Sequence, residues 1–80
     1  MNPILLLTFS GADQPGLTAG ITAILAQRDV NILDIGQSVI HATLSVGVLV
    51  EVPAREDPSA LGEAIGAFAG KHSLRWQLTP

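Results

Sequence analysis

The chain has 80 residues and no cysteine; 48% of it is hydrophobic, only 4% is aromatic, and its formal net charge is −3. A chain this short buries about 60% of the surface it exposes unfolded, so one small domain is expected, with a core of Leu, Ile, Val and Ala that gains from a partner. The lack of cysteine excludes a disulfide framework, a thiolate nucleophile and a zinc–thiolate site, and four scattered Lys and Arg residues form no basic stripe for nucleic acid.

Residues 4–10, ILLLTFS, read as a strand with Leu5, Leu7 and Phe9 on one face and Ile4, Leu6, Thr8 and Ser10 on the other. From Pro15 to about Arg28 the period changes. Leu17, Ile21, Ile24, Leu25 and Arg28 recur at helical spacing, and Pro15 suits a first helical turn. Val30 to His41 reads as a second strand. Thr43 to Val52 is a third, in which Leu44, Val46, Val48, Val50 and Val52 alternate with Thr43, Ser45, Gly47, Leu49 and Glu51. PAREDPSA is a charged connector in which Asp57 caps, and Pro58 opens, a second helix reaching about His72; Leu61, Ala64, Ile65 and Phe68 form its apolar stripe. Gly62, Gly66 and Gly70 recur every fourth residue there. Either they let this helix approach the first one at Gly20 and Ala23, or they reflect a Gly- and Ala-rich composition. LRWQL closes the chain as a strand, with Leu74, Trp76 and Leu78 on one face.

The order strand, helix, strand, strand, helix, strand predicts an α+β, ferredoxin-like βαββαβ domain, a four-stranded antiparallel sheet with two helices on one face. Its strand order would be 4-1-3-2, leaving strand 2 at an edge. That strand is long and carries neither proline nor lysine, so pairing with a second copy of the chain is expected. The N–H of Ser38, in mid-strand, is a candidate for the bonds across that interface. Apolar runs such as Ile4 to Leu7 and Leu17 to Ala26 are shorter than the roughly 20 residues of a membrane span. The N-terminus has no signal-peptide pattern either, so a cytoplasmic domain without membrane contact is expected.

Catalytic groups are scarce. His41 and His72 sit on different elements, no Ser-His-Asp set converges, and no His, Asp or Glu cluster has metal-ligand spacing. His72 suits a helix C-terminus and His41 a surface turn. GADQPG is not a P-loop, because no lysine follows its second glycine. What remains is the turn itself. Free N–H groups at a helix start attract a carboxylate, Gly16 permits close approach, and Asp13 suits an ammonium, a combination fit for a small free amino acid. The simpler alternative is that Asp13 caps the helix while Gly11 and Pro15 shape the turn.

GADQPGLTAGITAIL followed by VNILDIGQSVI resembles an ACT domain, the small amino-acid-sensing module of metabolic enzymes, through its G-x-D-x-P-G turn and the V-N-I that opens strand 2. The longer run DVNILDIGQSVIHATLSVGVLVEVP is similar to the N-terminal ACT region of bacterial phosphoserine phosphatases, and the likeness covers essentially the whole chain. Asp29 stands where such domains often end the helix with glycine, and Asp is able to adopt that left-handed geometry. The D-x-D-x-T/V nucleophile motif of that phosphatase superfamily is absent.

The resemblance implies that residues 1–80 are one ACT-type domain from the N-terminal end of a larger enzyme. It would have no catalytic residue or cofactor of its own, and magnesium and the catalytic domain would belong to the parent. Fold and resemblance together also imply a shared site. Within one 4-1-3-2 sheet, the turn after strand 1 and the start of strand 2 lie at opposite ends. Pairing two strand 2 edges about a two-fold axis brings Asn31 of one protomer to the turn of the other. The implied ligand-binding set is Asp13, Gln14, Pro15, Gly16 and Leu17 with Asn31, Ile32 and Leu33 of the second copy. L-serine or a similar amino acid would place its ammonium at Asp13, its carboxylate near Gly16 and its remaining polar atoms at Asn31. A ligand-free dimerisation module and a stand-alone ACT regulator are the alternatives.

Overall fold

A computed structural model describes residues 2–80. The elements are β1 (Ile4–Ala12), α1 (Leu17–Gln27), β2 (Asn31–Ile40), β3 (Thr43–Glu51), α2 (Pro58–Lys71) and β4 (Arg75–Thr79). The strands form one sheet in the order β2-β3-β1-β4, with every neighbouring pair antiparallel. This is the expected ferredoxin-like βαββαβ arrangement.

Alternation decides which face is dry. Leu7 and Phe9 of β1 and Leu44, Val46, Val48 and Val50 of β3 are buried, together with Leu17, Ile21 and Leu25 of α1 and Leu61, Ile65 and Ala69 of α2. Each fully buried branched side chain contributes about 1.5–3 kcal/mol through its transfer from water. On the other face of β1, Ile4 and Leu6 remain exposed. The core contains no buried polar or charged residue among those described, so shape and area alone hold the helices to the sheet.

The helix ends follow different rules. Asp57 caps α2 as expected, its Oδ1 accepting the Ser59 N–H at 2.9 Å, with Pro58 in the first turn. The start of α1 departs from expectation. The helix begins at Leu17 after Gly16, whose φ of 80° lies in the left-handed region, so Pro15 belongs to the preceding turn. Asp13 does not cap it; no side chain does, and the Asp13 N–H instead donates to Ala42 O at 3.0 Å. Asp29 ends α1 with φ 55°, the left-handed geometry anticipated for it.

Two of the three α2 glycines face the sheet, whereas nothing stands within 4 Å of a Cβ on Gly70. A Cβ on Gly66 would stand 3.3 Å from the Trp76 indole, and one on Gly62 would touch the same ring at 3.9 Å, so both make room for β4's tryptophan. The helix–helix contact is made at Gly20, where a Cβ would come 2.5 Å from the Phe68 ring.

The free edge of β2 has a definite polarity. Val52 N–H donates to Pro3 O and Asp13 N–H to Ala42 O, which turns the even-numbered positions of β3 towards β1. The odd positions of β3 therefore face β2, and their partners Asp34, Gly36, Ser38 and Ile40 bond inward. Ile35, Gln37 and Val39 point their N–H and C=O groups out of the sheet. Ser38 is thus committed to β3, opposite Ser45, and its N–H is not the interface group suggested by its mid-strand position.

Candidate functional site

The turn after β1 is held from two sides. His41 and Ala42, with φ of 52° and 64°, form the two-residue β2–β3 turn, and the Ala42 carbonyl takes the Asp13 N–H. Across the turn, Gln14 Nε2 donates to His72 O at 3.0 Å, while Gln14 Oε1 lies 3.4 Å from His72 Nδ1. His72 also packs on Phe68, ring centroids 4.6 Å apart. The Gln14 amide is therefore spent on fastening the turn to the end of α2.

Beside this turn lies an open hollow of about 330 Å³ whose lining includes Asp13, Gln14, Gly16, Leu17, Thr18 and Gln37. Gly16 is exposed, and nothing stands within 4 Å of where its Cβ would be. The first bond within α1 runs from Gly20 N–H to Gly16 O at 2.9 Å, so the N–H groups of Leu17, Thr18 and Ala19 precede the intrahelical ladder. No acidic side chain occupies the first turn. The positive end of the helix dipole thus opens into the hollow, and Asp13 is among the residues that line it. Among the described residues, the ion pairs are Arg28–Glu56 and Arg55–Asp29, and neither includes Asp13. The arrangement offers a cationic and an anionic pole within one small space.

The predicted residues divide clearly. Asp13, Gln14, Gly16 and Leu17 come together, although the Leu17 side chain is buried in the core and offers only its backbone. Pro15 is exposed and does not line the hollow. Asn31, Ile32 and Leu33 lie elsewhere. Asn31 pairs with Glu51, nine residues along β3 from Ala42, which places it about 30 Å from the turn of its own chain. Its Nδ2 donates to Glu51 Oε1 at 3.3 Å. Ile32 packs against the core, and Leu33 is the bulged residue where the β2–β3 register shifts. One chain therefore does not unite the two halves of the predicted set.

Two residues escaped the sequence reading. Thr18 Oγ1 donates to Gln37 Oε1 at 2.5 Å, linking the first turn of α1 to β2 at the mouth of the hollow. Thr18 was legible as a residue of the first helical turn. Gln37 was not, because only the β2 register puts it opposite Val46 on the helix side.

A larger hollow, about 670 Å³, lies on the helix-free face of the sheet, where Thr8, Ser10, Gly36, Ser38, Ser45 and Gly47 present little bulk. Arg75 also lines it, but no carboxylate does, so it offers a pole for an anion alone, and the smaller hollow is the candidate for a ligand carrying both charges.

The ACT domain family profile matches residues 3–79. The chain is 41% identical over 63 residues to phosphoserine phosphatase SerB2 of Mycobacterium tuberculosis, a match covering 78% of this chain and 15% of that protein. It is 35% identical over 69 residues to a UPF0237 protein of Methanopyrus kandleri, covering 76% of this chain and 77% of the relative. Among solved structures, an ACT domain protein from Streptococcus pneumoniae superposes with a TM-score of 0.82 at 24% identity, over 95% of this chain and 86% of that one. On the profile match and these identities, the chain belongs to the ACT domain family.

Proposed function

We propose that this ACT domain is a regulatory module that binds a small zwitterionic amino acid, L-serine or a close analogue, between two copies of the chain joined through β2. The observation that carries the reading is the hollow where Gly16 exposes the uncapped start of α1 beside Asp13. The helix start suits the ligand carboxylate and Asp13 its ammonium. Asn31 of the second copy would exchange its bond to Glu51 for one to the ligand. An edge strand with Leu33, Ile35, Val39 and Ile40 exposed by 45, 41, 49 and 73% supports self-association, since covering them removes apolar surface from water.

The likeness to the mycobacterial phosphatase favours a phosphoserine phosphatase of L-serine biosynthesis as the parent, acting in the cytoplasm. Hydrolysis would then fall to a separate, magnesium-dependent domain. A stand-alone regulator is the second reading, favoured by the match across 77% of the Methanopyrus protein.

Calorimetric titration with L-serine tests the binding role. Wild type should bind, and Asn31→Ala should lose about 10- to 150-fold in affinity, the worth of a hydrogen bond to a charged ligand. Thermal melts should be nearly unchanged, because Asn31 is exposed. Absence of binding by wild type at millimolar amino acid would leave a ligand-free dimerisation module.

A further inference from the structure

One outward group of the β2 edge is already occupied. Ile35 points its N–H away from β3, and the Asp34 carboxylate accepts it at 2.9 Å through Oδ1. Immediately before it, the bulge at Leu33 interrupts the ladder. The first half of the edge is therefore guarded twice, by a bulge and by a charged acceptor, both of which natural proteins use to discourage strand addition. Beyond Ile35 the outward groups of Gln37 and Val39 have no such guard.

The shared-site reading makes a specific demand on this edge. The turn that carries Asp13 and Gly16 lies beside Gln37 and Ala42, through the Thr18–Gln37 and Asp13–Ala42 bonds. For Asn31 of a second copy to come near it, Asn31 has to lie opposite Val39 to His41. In an antiparallel pair, that places the two-fold axis at Ile35 or Gly36. Either choice puts the Ile35 N–H inside the new ladder, facing Ile35 or Gln37 of the second copy.

We infer that Asp34 is a built-in competitor for self-association: its carboxylate holds the N–H that the incoming β2 strand needs, and has to release it before the two copies join. The inference rests on the proposed pairing through β2 and adds a control to it. An amino acid bridging the two halves of the site would favour the paired edge and draw the Ile35 N–H away from Asp34. The competitor thereby makes association more dependent on the ligand.

The dimer dissociation constant, measured by sedimentation equilibrium for wild type, Asp34→Ala and Asp34→Asn, is the test. Asp34→Ala removes the acceptor and should tighten the dimer at least fivefold. Asp34→Asn keeps a weaker, uncharged acceptor and should fall between Asp34→Ala and wild type. Far-UV circular dichroism serves as the check on folding. Equal tightening by both variants would assign the effect to charge repulsion and overturn the competitor. A wild-type dimer that Asp34→Ala leaves unchanged or weakens would overturn the competitor while leaving pairing through β2 intact. Wild type and Asp34→Ala both monomeric at millimolar concentration would overturn both.

Discussion

Replacing Ile35 with proline separates the β2 edge from the β2–β3 ladder by a single atom. The Ile35 N–H points out of the sheet, so its loss costs the isolated domain only an exposed bond to Asp34 and some packing of a side chain that is 41% exposed. Proline is tolerated at such an edge position. In a two-fold pair, one N–H···O bond per protomer would disappear. Measured on an Asp34→Ala background, where no carboxylate competes for that N–H, the two bonds at about 0.5–1.5 kcal/mol each sum to about 1–3 kcal/mol, or about a 5- to 150-fold weaker dimer. Ser38→Pro is the contrasting substitution. Ser38 bonds inward opposite Ser45, so it should lower stability by about 1–3 kcal/mol through an unpaired ladder group, whatever happens to the dimer. Sedimentation equilibrium gives the first quantity and urea unfolding the second. An Ile35→Pro chain that dimerises like the Asp34→Ala background that carries it, or a Ser38→Pro chain more stable than Ile35→Pro, would refute the assignment of which groups face outward.

Three further outcomes are expected. Ala42→Gly should raise stability by about 1 kcal/mol, and the melting temperature by about 4–8 °C, because Ala42 has φ 64° where L-residues are strained. Gly16→Ala should lower stability by about 1–2 kcal/mol for the same reason at φ 80°, and thermal melts check both. The isolated domain should show no magnesium-dependent turnover of O-phosphoserine, since it lacks the paired-aspartate nucleophile motif; a phosphate-release assay on protein free of host phosphatase measures this.

Much of the architecture was legible because β1 and β3 alternate so regularly. A two-residue period from Leu44 to Val52 admits only one dry face, and all five apolar positions are buried on it. Asp57 and Pro58 likewise announced α2 through local chemistry. The start of α1 misled because Pro15 is compatible with either a first helical turn or the turn before it. The left-handed Gly16 decides between them. The spacing of Gly62 and Gly66 marked a close approach but not its partner, since Trp76 reaches α2 only through the β1–β4 pairing. The same limit applies to the site. Asp13 and Gly16 are neighbours in sequence and stay neighbours in space, whereas Gln37 joins them by register. The β2–β3 turn was placed between strands at His41, but its left-handed geometry was hidden, because His41 and Ala42 carry a conformation usually given to Asn-Gly.

The central claim, that each ligand site takes Asp13 from one copy and Asn31 from the other, is tested most directly by mixing two damaged proteins. Asp13→Asn and Asn31→Ala should each bind L-serine weakly alone. Unfolded together in equal amounts and refolded, they exchange partners, and half the dimers become mixed. Each mixed dimer then holds one site with both defects and one site with neither. Calorimetry on the mixture should recover wild-type affinity in about a quarter of the sites, taking random pairing of equal partners. A mixture that binds no better than its two components would contradict the shared site, since a site built within one chain gains nothing from exchange.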